Sequence, residues 1–246
     1  MREVFENGIV SCGDALGILR EMPGASVDAV LTDPPYSSGG LHMAARQADP
    51  ADKYQRTGTK RTYPPMLGDL KDQRSFTMWA TLWLGECWRV SRSGAPCMVF
   101  SDWRQLPAMT DALQGAGWAW RGIVVWHKPS ARPNLGEFKH DTEFVLYAVK
   151  DKARPTHRRC LPGVFKHAVN TARKVHVTGK PVELVKDLLA VTPEGATVLD
   201  PFMGGGTTAL ACLETKRRFV GAELSPEYMD LLTARIRQAE EALKQA

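Results

Sequence analysis

The sequence predicts an α/β fold, a mostly parallel sheet covered by helices on both faces. Three observations predict it. Short apolar runs alternate with stretches of helical periodicity along the 246 residues. Those runs are apolar throughout rather than alternating, as strands buried on both faces should be. Two of them end in unusual motifs, and sheets of this kind bind ligands outside the carboxyl ends of their strands.

The elements follow in order. Ile9-Val10 reads as a short strand and residues 14–21 as a helix. Val27 to Thr32 is a continuous apolar strand. Residues 37–74 are polar, rich in Gly, Pro, Lys and Arg, and too long for an ordinary connection, which suggests a mobile functional loop. In 75–91, Trp79, Leu82, Trp83 and Cys87 are spaced for one buried helical face. Ala95 to Ser101 is a strand and 103–115 a helix, stopped by Gly115 and Gly117. Ile123–Trp126 and Phe144–Val149 are strands. Residues 181–191 read as a helix, Thr197–Leu199 as a strand, 207–215 as a helix, Phe219–Ala222 as a strand and 226–243 as a last helix. One domain over 1–246 is expected.

Composition narrows the function. No run approaches the roughly 20 apolar residues that span a bilayer. The first residues lack a charged-then-apolar leader pattern, so a cytoplasmic protein is expected. Five scattered cysteines form no C-x-x-C pair, and the six histidines form no close metal pair, so no metal site is expected. The net charge is +5, yet residues 150–180 carry nine Lys or Arg (Lys150, Lys152, Arg154, Arg158, Arg159, Lys166, Arg173, Lys174 and Lys180) against Asp151 alone. Such a block suits a polyanion; a solvated basic loop is the plainer alternative.

Two strand ends carry chemistry. After Val198-Leu199-Asp200 comes a turn with Gly204, Gly205 and Gly206, then a helix opening with Thr207 and Thr208. Glycines allow a sharp turn and close approach of a ligand, and a helix start offers free N–H groups to an anionic group. Glu223 ends the next strand, 23 residues beyond Asp200, where an acid can accept bonds from ribose hydroxyls. A glycine triplet alone would be a structural turn; triplet, helix start and spaced acid together suggest a nucleoside cofactor. At the other strand end, Asp33-Pro34-Pro35-Tyr36 offers a carboxylate, a carbonyl outside any regular ladder and a flat ring. An exocyclic amino group has two N–H donors. The Asp33 carboxylate and Pro34 carbonyl could accept them while Tyr36 stacks on the base.

The two motifs together resemble the DNA amino-methyltransferases, which move a methyl group from S-adenosylmethionine to N6 of adenine or N4 of cytosine. Asp33-Pro34-Pro35-Tyr36 matches the family's catalytic tetrapeptide. Asp200-Pro201-Phe202-Met203-Gly204-Gly205-Gly206-Thr207-Thr208 matches its cofactor motif. The catalytic motif comes first, the circular order typical of the β group.

The resemblance implies a Rossmann-like class I methyltransferase with a seven-stranded sheet. It implies cofactor contacts from Asp14 and Ala15, Asp33, Asp200, Pro201, Phe202, Gly204, Gly206, Thr207, Thr208, Glu223 and Leu224, and from Lys180 to the methionine carboxylate. DNA is the implied partner. Residues 150–175 occupy the family's target-recognition position. Lys53, Arg56, Lys60, Arg61, Arg154, Arg158, Arg159, Lys166, Arg173 and Lys174 are the candidate DNA contacts, and the short segment suggests a short or degenerate target. A homodimer is compatible with the family.

The mechanism implied is direct displacement on an everted base, by positioning and electrostatics rather than a covalent nucleophile. Asp33 need not have a raised pKa in that scheme. Pro96-Cys97 resembles the nucleophile pair of cytosine-C5 enzymes, but it opens an apolar strand and reads as core. An aspartate at the first motif position favours adenine; N4-cytosine is the alternative, and a non-catalytic nucleic-acid-binding module is a further one.

Overall fold

The structure, a computed structural model, describes residues 1–37, 71–131, 135–168 and 179–245. The described strands are β1 (Arg2–Phe5), β2 (Gly8–Cys12), β3 (Ala29–Thr32), β4 (Pro96–Ser101), β5 (Ala119–His127), β6 (Thr142–Val149), β7 (Val164–Lys166), β8 (Thr197–Asp200) and β9 (Arg218–Glu223). The helices are α1 (Ala15–Glu21), α2 (Gln73–Val90), α3 (Leu106–Gly115), α4 (Val182–Leu189), α5 (Thr207–Glu214) and α6 (Pro226–Lys244).

All the strands lie in one sheet, in the order β1-β2-β9-β8-β3-β4-β6-β5-β7. Parallel pairs predominate; β1–β2, β4–β6 and β5–β6 are antiparallel. The expected seven strands become nine among the described residues. Each addition lies at an edge. β1 is a hairpin partner of β2 across Glu6-Asn7, with Phe5 opposite Gly8. Gly8, at the last position of the Phe5–Gly8 turn, was the readable signal for a turn there. β7 is three residues long, pairs with β5 among the described residues, and has no such signal.

The sheet is buried because its strands alternate between two cores. On one face Leu31, Met98, Phe100 and Val198 pack with Leu184 and Leu188 of α4, Ala209 of α5 and Leu232 of α6. On the other, Val30, Cys97, Val99 and Leu199 pack with Leu19 of α1, Phe76, Trp83 and Leu84 of α2 and Met109 of α3. The α2 stripe runs Phe76, Ala80, Trp83, Leu84, Cys87, Val90; of the expected face, Trp83 and Cys87 are buried and Trp79 packs beside them, while Leu82 is exposed. Asp72 caps it through Arg74 and Ser75 N–H, which starts the helix at Gln73, inside the expected 37–74 loop. Residues 38–70 of that loop lie outside the described residues. Its flanks meet, since Lys71 N donates to Ser37 Oγ at 3.3 Å.

Lys150 is a correction to the basic block. It is buried, donates to the Trp88 and Ser91 carbonyls at 2.8 Å each and lies over the Trp88 ring. It therefore caps the carboxyl end of α2, where orphan carbonyls and the helix dipole favour a cation. Cys97 is fully buried in β4, and burial pushes its thiol far up, as suits a core residue.

Candidate active site

Strand order reverses between β8 and β3. α/β sheets open a crevice at such a point, at the strands' carboxyl ends. β8 ends at Asp200, and β3 hands over to Asp33. A buried bond joins the two ends: Thr32 Oγ1 donates to Asp200 Oδ1 at 2.6 Å. The two motifs, 167 residues apart in sequence, are thus neighbours on one rim. β9 and β2 extend that rim, with Gly13 N donating to the Glu223 carbonyl at 2.9 Å.

The glycine turn is built from within. Asp200 is 3% exposed. It accepts from Thr32, from Thr208 Oγ1 at 2.6 Å and from Phe202 N at 3.0 Å. It was expected among the cofactor contacts; its oxygens instead face inward and shape the turn, with Thr208. Phe202 turns into the core against Trp79 and Trp83. Gly206 takes φ 79° and begins α5 with no side-chain cap, a left-handed conformation that favours glycine. The first N–H groups of α5 are thereby left for another acceptor. Glu223 accepts from Gly204 N at 2.7 Å and Ser225 N at 2.9 Å, and burial raises its pKa.

Around this turn, Asp14 caps α1 through Gly17 N, with Ala15 buried behind it. Thr207 is half-buried, Leu224 exposed and Pro201 buried. A glycine-lined turn, an uncapped helix start and an acid at the next strand end fit an amino-acid nucleoside with a carboxylate and a ribose.

Burial pushes the Asp200 carboxyl up to about 6, against the pull of its Thr208 and Thr32 bonds. Its ordinary value is 3.8. The folded protein therefore keeps a proton that the unfolded chain releases, and this group favours folding below about pH 4. The advantage fades as pH rises to about 6, by up to roughly 3 kcal/mol. Asp200→Asn should lack this slope. Denaturant titrations from pH 4 to 7 should show the variant gaining on the parent as pH rises; a pH-independent difference refutes it.

The second half of the site is a part-buried chain of charges centred on Lys180. Lys180 Nζ donates to Asp33 Oδ2 at 2.6 Å and lies 3.3 Å from Glu143 Oε2. Lys128 Nζ donates to Glu143 Oε1 at 2.9 Å. Tyr36 Oη donates to Asp33 Oδ1 at 2.6 Å. The Lys180 side chain is 6% exposed and that of Asp33 24%, so the carboxylate keeps the open edge. Burial raises the Asp33 pKa, and the Lys180 and Tyr36 contacts only partly offset it. Burial would lower Lys180, yet Asp33 and Glu143 hold it above its ordinary value. Burial would raise Glu143, yet Lys180 and Lys128 bring it down. Burial and the Asp33 charge push the Tyr36 phenol well up, so it remains a donor.

Lys180, expected to approach a cofactor carboxylate, pairs here with Asp33 and Glu143, because a desolvated cation needs anionic partners. The implied mechanism does not require a raised Asp33 pKa, and burial nonetheless raises it. Glu143 was missed. It is the second residue of β6, and the antiparallel pairing of β6 with β4 and β5, Phe144 opposite Ser101 and Glu143 opposite Trp126, brings it to the rim. A charged residue opening an otherwise apolar strand was the available signal.

The basic candidates divide. Lys166 ends β7, which runs parallel to β5, at the Asp33 end of the sheet and is exposed. Arg154 packs on Gly94, just before β4 begins, at the opposite end. Arg158 and Arg159 follow His157, whose ring bonds the Ala190 carbonyl past the end of α4. These three arginines stand away from the Asp33 rim, since β6 leaves the sheet at its amino end. Lys53, Arg56, Lys60, Arg61, Arg173 and Lys174 lie outside the described residues.

Comparison with known proteins agrees with this geometry. Residues 27–234 match a family model described as DNA methylase, of the N6/N4 type. Type II methyltransferase M.XycI of Xanthomonas campestris pv. cyanopsidis is 29% identical over 266 residues, covering 91% of this chain and 86% of that protein. The solved M1.HpyAVI–SAM complex has a TM-score of 0.66 at 24% identity, covering 92% of this chain and 98% of that one. The cytosine-N4-specific PvuII DNA methyltransferase has a TM-score of 0.70 at 17% identity, covering 94% and 87%. The two structures share the Rossmann-like fold, and the family match spans both strand-end motifs. This chain belongs to the DNA methylase family of the N6-adenine/N4-cytosine type.

Proposed function

We propose that this DNA methylase transfers a methyl group from S-adenosylmethionine to N6 of adenine in DNA. The observation that carries the reading is the Thr32–Asp200 bond, which sets the Asp33 motif beside the glycine turn. Gly204, Gly206, Thr207, Glu223, Leu224 and Asp14 would hold the cofactor, and Asp200 with Thr208 would keep the turn in shape. When bound, the cofactor supplies a sulfonium-borne methyl group, so no metal or covalent nucleophile is required.

The chain's own residues prepare the amino group. Its nitrogen is a weak nucleophile because its lone pair feeds the ring. Hydrogen bonds from its two protons to Asp33 and the Pro34 carbonyl concentrate density on nitrogen and stabilise the positive charge that grows there. With the cofactor in place, the nitrogen–methyl bond would form as the carbon–sulfur pair passed to sulfur, and the proton then lost from nitrogen would pass to water at the open edge of Asp33. The base must be everted to reach Asp33. The amino group takes the Asp33 oxygen that the Tyr36 hydroxyl now holds, which frees the Tyr36 ring to stack. Trp103, exposed two residues beyond β4 with Arg104 over its ring, offers the same rim a further stacking and cationic surface for nucleic acid.

The aspartate at the first motif position favours adenine over the alternative, N4 of cytosine. Amplified genomic DNA, free of modification, would be treated with enzyme and labelled S-adenosylmethionine and digested to nucleosides. Label in N6-methyl-2′-deoxyadenosine is expected. Label in N4-methyl-2′-deoxycytidine would install the alternative.

A further inference from the structure

Glu143 is a charged group that neither motif supplies. It lies half-buried near the start of β6, hydrogen-bonded by Lys128 and ion-paired with Lys180 at 3.3 Å. The geometry poses an electrostatic question. An ammonium 2.6 Å from Asp33 fixes the carboxylate and keeps it ionised in a desolvated place. Unshared, the same ammonium would drain the negative charge that the target amino group needs. Glu143 answers both demands. Its Oε2 pairs with the Lys180 ammonium at 3.3 Å, and its Oε1 accepts from Lys128. The Lys180 ammonium is paired with two carboxylates and lies near the rings of Phe100 and Tyr36, so it has little freedom to swing.

We propose that Glu143 is a positioning residue for methyl transfer, sharing the Lys180 ammonium so that Lys180 orients one oxygen of Asp33 while the other remains a strong acceptor for the target amino group. The inference rests on the reading of Asp33 as the amine acceptor. Other charged or titratable groups bearing on Asp33 are Tyr36, bonded to it, and Asp200, whose carboxyl feels its charge. Asp102 acts on Tyr36.

Loss of either partner has a definite sign. Without Glu143, Lys180 settles on Asp33, and the acceptor weakens. Without Lys180, burial and the Glu143 charge together raise the Asp33 pKa, and activity then requires a higher pH. Removing Glu143 as well withdraws that repulsion.

The test uses the full-length protein, unmodified amplified DNA and labelled S-adenosylmethionine in single-turnover assays across pH. Glu143→Gln should slow transfer roughly tenfold, with cofactor Kd and DNA KM within about twofold of the parent. Lys180→Met should move the acid limb of the profile upward. Glu143→Gln added to Lys180→Met should do no further harm and should move that limb part of the way back. A merely structural glutamate would not reverse a pH shift. Parental rates in Glu143→Gln, or losses that multiply in the double variant, overturn the proposal.

If Glu143→Gln does not fold, Lys128→Met carries the test. It leaves Glu143 to Lys180 alone, loosens Lys180 from Asp33 and should raise the acid limb; an unmoved limb overturns the proposal. Asp33→Ala separates the two readings. Transfer surviving that change refutes the amine-acceptor reading itself. An inactive Asp33→Ala beside a parental Glu143→Gln refutes only the role of Glu143.

Discussion

Asp33→Ala is expected to reduce methyl transfer by about a thousandfold or more, while binding of S-adenosylmethionine changes by less than about threefold. The magnitude follows from what Asp33 supplies, an acceptor aimed at charge that develops only in the transition state; removing one such partner commonly costs 10²–10³ in rate, and here Lys180 is also left to Glu143 alone. The selectivity follows from position. The glycine turn is shaped by Asp200, Thr208 and Glu223 through bonds that do not involve Asp33. Calorimetric titration with cofactor and a filter-binding assay of labelled DNA measure the two halves separately. Joint loss of binding and transfer would mean that Asp33 holds the fold or the cofactor rather than the base.

Gly221→Val should damage the other half. Gly221 lies opposite Asp200 in the β8–β9 pair. A Cβ there would come 2.3 Å from Met203 Cγ and 2.8 Å from the Asp200 carbonyl oxygen. Met203 is buried, and its N–H is bonded to the Ala222 carbonyl, so the turn has nowhere to retreat. A valine must prise β9 from the turn that carries Gly204 and Gly206. Overpacking of this kind costs roughly 1–3 kcal/mol or more, and cofactor affinity should fall at least about tenfold as the turn shifts. Thermal unfolding and cofactor titration would measure both. Gly85→Ala in α2, where an added Cβ meets nothing within 4 Å, is the control. It should be neutral or stabilising by up to about 1 kcal/mol. A Gly221→Val protein with parental cofactor affinity would mean that the turn does not form the pocket.

Much of the site was legible because its chemistry is local in sequence. Asp33-Pro34-Pro35-Tyr36 and Asp200 to Thr208 are each contiguous, and each sits where an apolar strand stops. Their orientation was less legible. Asp200 and Phe202 belong to the cofactor motif yet face inward, because a strand end that turns sharply must satisfy its own donors and fill the space below. The basic segment misled for a related reason. Lys150 reads as one more surface charge, but α2 ends beside it and needs a cap. Arg154, Arg158 and Arg159 look like part of a DNA-binding block, but β6 runs antiparallel and delivers them to the far end of the sheet.

The sequence by itself determined the alternation of strands and helices, the two motifs and the family. Apolar periodicity and glycine or proline punctuation are properties of neighbouring residues, and they survive without knowledge of the fold. Only the tertiary structure decided that Thr32 bonds Asp200, that Lys180 serves Asp33 and that Glu143 joins them. Those contacts link residues far apart along the chain, and strand order and direction choose them. A buried ammonium then takes whichever carboxylates the fold brings within reach, because in a desolvated place charge must be paired.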